Sequence, residues 1–241
     1  MGEGARMKSG ELGPRLRRGD TGAAGIDLAI VLGAIALGWG ASRVLYPALA
    51  LPDNAPYILR PILGLLAAWI VVRWRGEGLR SLGLRPPDSW TRVIAAGIAL
   101  YAVNWLVASY GLPVLAQWIP PVRRPSFLVY IHGSLAGLAT WLAIGWIVGG
   151  FCEEVLFRGF LLGRVAALLG GSNAAWAIAV VPQAILFGML HLYAGPLAFV
   201  SAALFGLAQG AFYLAAGRNL VPLMVVHGVW NTVGIYAVYR G

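Results

Sequence analysis

The sequence predicts an all-α protein, a polytopic transmembrane helical bundle of seven to eight spans. Three observations carry that prediction. Of its 241 residues, 59% are hydrophobic and 11% charged, against near half and about a quarter in ordinary soluble domains. Mean hydropathy is +0.76. Apolar runs of spanning length recur from residue 26 to the end with only short turns between them.

The elements follow in order. Residues 1–24 are Gly- and Arg-rich and are expected to form a basic, disordered cytoplasmic tail. Residues 25–134 carry the N-terminal spans, at about 26–51, 56–74 and 91–110. Ala48-Leu49-Ala50 has the form of a signal cleavage site, but the apolar core before it exceeds a signal h-region, so the first run reads as an uncleaved anchor. The stretch RWRGEGLRSLGLRPPDSW is basic and rich in turn residues, and reads as a cytoplasmic loop. GLPVLAQWIPPVRRPSF reads as a partly interfacial loop. Residues 135–241 form the last part of one integral membrane domain. It holds a very long apolar segment (135–169) broken at Gly149-Gly150, then spans at about 174–192, 196–216 and 220–239. An eighth span requires the long segment or the 111–132 region to split.

The net charge of +9 gathers in the tail and between Arg73 and Arg92. That is topology signalling, with the N-terminus inside. No basic soluble domain is present to bind nucleic acid. The 73–92 loop and the turns at Gly170-Gly171 and Gly217-Arg218 then share the cytoplasmic side, and Arg123-Arg124 fall opposite, against the trend. The single cysteine, Cys152, excludes an intramolecular disulfide and a cysteine-rich metal site. It reads as a small packing residue. Gly145/Gly149, Gly159/Gly163 and Gly206/Gly210 would allow close helix contact.

Within the spans, ionisable groups are few, and at membrane depth they mark a functional site by default. FCEEVLFRGF places Glu153, Glu154 and Arg158 on one span. Glu154 and Arg158 stand at i, i+4 in the favourable order. Glu153 is turned away by about 100° and has no helical partner, so it is free to act as a general base or acid. Two histidines complete the set. His191 follows Phe187 by four residues, and His227 precedes Asn231 by four. Chain counting from Gly170-Gly171 puts Glu153 and His191 at a similar height. The same counting puts His227 lower by roughly 12 Å. The arginines after the glutamates predict a site opening toward the Gly170 turn.

Glu153-Glu154-x-x-x-Arg158, Phe187-x-x-x-His191 and His227-x-x-x-Asn231, in this order on successive spans, resemble the CPBP family. These are the CAAX-protease and bacteriocin-processing membrane proteins, including the type II CAAX prenyl endopeptidases. The resemblance covers about residues 135–239 and implies an intramembrane endopeptidase. By that resemblance Glu153 and His191 would activate a water, and His227 and Asn231 would stabilise the oxyanion. Glu154 and Arg158 would hold the site together, with Phe187 packed beside it. No cofactor is required on the favoured reading. If the activity is metal-dependent, zinc or another divalent ion would sit on Glu153, His191 and His227. The implied partners are the lipid bilayer and a membrane-associated peptide or lipidated protein substrate. The Arg-, Ala- and Gly-rich composition points to a prokaryotic cell membrane. Two other classes fit an intramembrane Glu/His/Arg set: a non-catalytic peptide-binding or immunity protein, and a proton-coupled transporter.

Overall fold

The computed structural model describes residues 21–49, 55–120 and 129–241. The tail expected to be disordered (1–20) and Arg123-Arg124 lie outside the described residues. Seven long helices are seen there and no strand: α1 (Thr21–Ala48), α2 (Ala55–Trp74), α3 (Trp90–Leu115), α4 (Leu135–Leu168), α5 (Asn173–Met189), α6 (Pro196–Ala215) and α7 (Val221–Arg240). By length and composition α1, α3, α4, α6 and α7 can each cross a membrane, and α5 is a shorter apolar helix. The chain is an integral membrane protein built as a polytopic bundle.

Several boundaries differ from expectation. Residues 21–24 are already helical, so the tail ends earlier. α3 runs on to Leu115 rather than stopping near 110, because its apolar sequence continues through a wide-turn stretch at Val107–Gly111. The long segment is not interrupted at Gly149-Gly150. α4 is one continuous helix of 34 residues, which widens to i→i+5 hydrogen bonding over Gly145–Glu153 and Val155–Leu161. Such π geometry is rare and frequently accompanies functional sites. Serine side chains fix three starts, with Ser89, Ser134 and Ser172 each accepting from a backbone N–H three residues on.

α4 is the central helix. Leu156, Phe157, Phe160, Leu161 and Leu162 are at most 1% exposed and anchor the core. The glycines set how closely its neighbours approach. Gly206 lies against Ala184 and Gly210 against Val180, which seats α6 on α5. Gly163 faces Trp176, and Gly228 of α7 leaves room for the Trp146 indole, whose Nε1 donates to Thr232 at 3.0 Å.

At one end of the bundle lie the 75–89 loop and the turns at 169–172 and 216–220. Arg164 near the end of α4 donates to Asp27 of α1 at 2.9 Å and to Glu77 of the loop at 2.7 Å, and Arg75 donates to Asp27 at 2.8 Å. Tyr213 donates to the Leu82 carbonyl, and the Leu220 N–H to that of Gly83. The shared side expected for these loops is therefore what the structure has. Asp27 of α1 is buried at 2% exposure.

Removing one partner of a buried ion pair costs ~3–5 kcal/mol. Asp27→Ala leaves Arg164 with Glu77 only, so a loss near the lower end of that range is expected, read as a fall in the thermal unfolding midpoint of the purified protein in detergent. An unchanged midpoint would show that the staple contributes nothing.

Candidate active site

α4 supplies the acidic pair. Glu154 is fully buried and accepts from Arg158, also fully buried, at 2.9 Å. The guanidinium lies 4.5 Å from the centre of the Phe187 ring, a cation–π contact that is strongest where water is excluded. Glu154 Oε2 and Arg158 Nε and Nη2 have no other protein partner among the described residues.

α7 supplies His227, 5% exposed. Its Nδ1 lies 2.7 Å from Glu154 Oε1. Because a carboxylate oxygen accepts, Nδ1 carries the proton there, and Nε2 turns toward Glu153 Oε2 at 3.8 Å. One imidazole thus stands between both glutamates. A regular α-helix would set the two carboxyls about 100° apart. The wide turns of α4 rotate less per residue and bring both toward α7. Glu153 remains the less buried, with its side chain 15% exposed.

The predicted height offset of His227 is not found. The 75–89 loop tucks between the α6–α7 turn and α4. A Cβ on Gly159 would lie 2.8 Å from the Leu82 carbonyl and 3.4 Å from Leu220. Leu220 is therefore level with Gly159, and seven residues along α7 reach the height that six residues along α4 reach in the other direction.

Bare glycine makes the α4–α7 contact. A Cβ on Gly149 would collide with the Asn231 amide and come 3.3 Å from His227 Nε2. Gly150 faces the Met224 carbonyl and Gly228. Asn231 Nδ2 donates to the Gly145 carbonyl at 2.9 Å and keeps its second hydrogen. His227 and Asn231 thus present nitrogens over the same point of α4.

His191 is not on a helix face. α5 ends at Met189, and its 17 residues span about 26 Å, short of a bilayer core of about 30 Å. His191 therefore begins the turn that leads into α6. Its Nδ1 donates to the Phe187 carbonyl at 3.0 Å, which leaves Nε2 free to accept. Phe187 is the hub of the aromatic packing: ring centres of Phe157, His191, Phe205 and His227 lie 5.0, 4.8, 6.2 and 6.3 Å from its own.

A cavity of about 380 Å³ unites much of this set, with Phe187, His191, His227 and Asn231 in its wall. Glu153 is not in that wall and meets the site through His227. No ion pair joins it to His191 among the described residues. A larger cavity of about 490 Å³, beyond Phe157 and Tyr193, carries Arg43 and Arg60 but neither histidine nor carboxylate, so the smaller one is the candidate site. Among the described residues no three His, Cys, Asp or Glu side chains are grouped to hold a metal. Cys152 is a buried free thiol, as expected.

Residues 135–233 match the family described as Type II CAAX prenyl endopeptidase Rce1-like. The resemblance read from the three motifs is thereby borne out over that segment. No curated protein and no solved structure shows a significant match to the chain. The Rce1-like segment contains every motif residue, but not the whole cavity wall. Asn104 of α3 lies outside it, yet it lines the cavity, is 4% exposed and has an amide nitrogen without a hydrogen-bond partner among the described residues. In the sequence it is one of several scattered polar residues, and only its solitude on an apolar span marks it.

The position of the cavity differs from the expected direction of opening. The cavity is walled by the last half of α3, the end of α5 and the turn after it, the first half of α6 and the middle of α7. All of these lie on the far side of the glutamates from Gly170. Arg164, taken as a sign of the open end, is consumed by Asp27 and Glu77.

Adding a methyl group at the α4–α7 contact forces apart two helices that cannot give way. Gly149→Ala is expected to lose ~1–3 kcal/mol, the usual cost of overpacking, whereas Gly33→Ala, with nothing within 4 Å, is expected to be neutral or slightly stabilising. Equal unfolding midpoints for the two variants would contradict the close contact.

Proposed function

We propose that the protein is an intramembrane endopeptidase that hydrolyses a peptide bond of a membrane-associated or lipidated polypeptide. The observation that carries this reading is His227 held between two carboxylates: Glu154 is locked by Arg158, and Glu153 has no other ion-pair partner among the described residues.

The 3.8 Å between Glu153 Oε2 and His227 Nε2 lets one oxygen sit within hydrogen-bond reach of both. In the proposed reaction a water in that position gives its proton to Glu153 and attacks the scissile carbonyl carbon. His191, its Nδ1 proton held by the Phe187 carbonyl, accepts through Nε2 from the same water and orients it. His227 takes part as an imidazolium, its Nδ1 hydrogen given to Glu154 and its Nε2 hydrogen to the oxyanion as it forms, and the second Asn231 hydrogen donates beside it. The tetrahedral intermediate collapses when Glu153 passes its proton to the leaving nitrogen, giving a new carboxylic acid and a new amine, between which the remaining water proton then exchanges. Preorganised donors of this kind are typically worth ~2.7–4 kcal/mol each in a dry site.

The step runs without a metal in this reading. Zinc wants three protein ligands and a water, and Glu153, His191 and His227 are not drawn together as such a set. Phe187 and Arg158 act as positioning groups that keep Glu154, and through it His227, immobile.

The direct test compares membrane-peptide profiles of cells expressing the wild type and Glu153→Ala at equal, verified levels. New peptide C-termini seen only with the wild type are expected. With a cleaved substrate in hand, His227→Ala and Asn231→Ala should each lower kcat by ~10²–10³-fold, and a chelator should leave the rate unchanged. Identical profiles for wild type and Glu153→Ala would turn the reading toward a non-catalytic peptide binder. Loss of activity on chelation, restored by zinc, would replace the metal-free step.

A further inference from the structure

Among the described residues, two buried polar side chains stand in the cavity wall, His227 and Asn104. The proposed reaction uses only the first. Asn104 lies in α3 among aliphatic neighbours, with Leu100 and Ala108 one turn away on either side and Val107 between. None of these side chains can pair with an amide. Its nitrogen is buried and has no hydrogen-bond partner among the described residues. A buried amide without a partner costs stability, and asparagine is a weak helix former. Neither the helix nor its packing accounts for the residue.

The packing of α3 on α7 places Asn104 along the site. A Cβ on Gly97 would lie 3.5 Å from Val226. Four residues further along each helix, the Tyr101 ring meets Trp230 edge-on, with centres 5.6 Å apart. The two helices therefore advance together, and Asn104 stands about 3 Å beyond Asn231 along the bundle. An extended chain rises about 3.3 Å per residue. A polypeptide laid through the cavity with its scissile carbonyl at His227 and Asn231 thus carries its next residue or two past Asn104. The wall around it there is apolar, built from Val107, Ala108, Ala202 and Phe205.

We infer that Asn104 is a substrate-binding residue whose side-chain amide pairs with the main chain of an extended polypeptide beside the scissile bond. This role rests on the endopeptidase reading and adds what the site grips. A helical segment satisfies its own peptide groups, but once it is opened out in a largely apolar cavity they need new partners. A residue of an extended chain directs its N–H and C=O to the same side. A side-chain amide holds both a donor and an acceptor, so it can give one bond and take the other. The main chain is common to every residue, so the grip at this point selects an extended conformation and not a particular side chain. The bond is made away from the reacting carbonyl and is present alike before and in the transition state. It therefore acts on KM and not on kcat.

The Glu153-dependent peptide termini supply the cut site, and a synthetic peptide spanning it is the probe. Asn104→Leu is close in size and cannot pair, and Asn104→Ala is the second variant, for which no larger side chain has to fit. Each is expected to keep the wild-type unfolding midpoint in detergent, since an unpartnered amide is removed, and to raise KM about tenfold with little change in kcat. Each main-chain amide within two residues of the cut, the scissile one excepted, is then replaced in turn by an ester, which removes one N–H. One ester is expected to raise KM about tenfold for the wild type and to have no effect on the variants, the non-additivity of two groups that touch. Lower midpoints in both variants, an unchanged KM, or ester effects that are the same in wild type and variants overturn the inference, and the protease reading stands because cleavage persists. Absence of any Glu153-dependent terminus removes the protease reading, and the role of Asn104 with it.

Discussion

Everything at the centre of this bundle depends on one carboxylate. Glu154 has no access to water, and a charge in that position is tolerable only with partners. It has two, Arg158 from its own helix and His227 from α7. The first is a local matter of helical spacing. The second requires two helices to meet at one height and with almost no separation, and this demand shapes the surroundings. It calls for glycine at 145, 149 and 150 on α4 and at 228 on α7. It also needs the 75–89 loop to raise the α6–α7 turn by the length of the Gly159–Gly170 stretch. Once these are in place, Glu153, His191 and Asn231 fall around the same imidazole.

The N-terminal helices serve the site without holding a motif. α1 and the loop after α2 clamp the end of α4 through Asp27 and Glu77, so the helix that bears both glutamates is fixed at its base. α3 closes the cavity and places Asn104 in it. The match to a known family begins only at residue 135. The part of the chain outside it therefore completes the cavity wall.

Most of the architecture was legible in the sequence, because span length and polarity are set by the solvent. Backbone groups in hydrocarbon must be satisfied within a segment, so each apolar run is a helix. The Glu154–Arg158 pair was legible for the same reason that any i, i+4 pair is. Three things were not. The continuity of α4 through Gly149-Gly150 was hidden, since paired glycines read as a break in water, whereas in a bundle they read as a contact surface. The level of His227 was hidden because counting from turns assumes that all turns lie at one depth, and Leu220 lies well inside the turn at Gly170. The buried place of Asp27 was hidden because its partners, Arg75 and Arg164, are 48 and 137 residues away.

The wide turns of α4 make its length an exact measure. The helix is held at Gly149 against α7 and at Arg164 against α1, and the two grips stand 15 positions apart. In that interval i→i+5 bonding takes up rotation that a regular helix would spend differently. One residue more or fewer would turn one grip by roughly 100° relative to the other, so that Arg164 would face lipid whenever Gly149 faced Asn231. The interval is thus closed to insertions and deletions, while the turn at Gly170 is open to them. Lineages of this protein would be expected to vary in loop length and to agree, residue for residue, in the distance from Gly149 to Arg164.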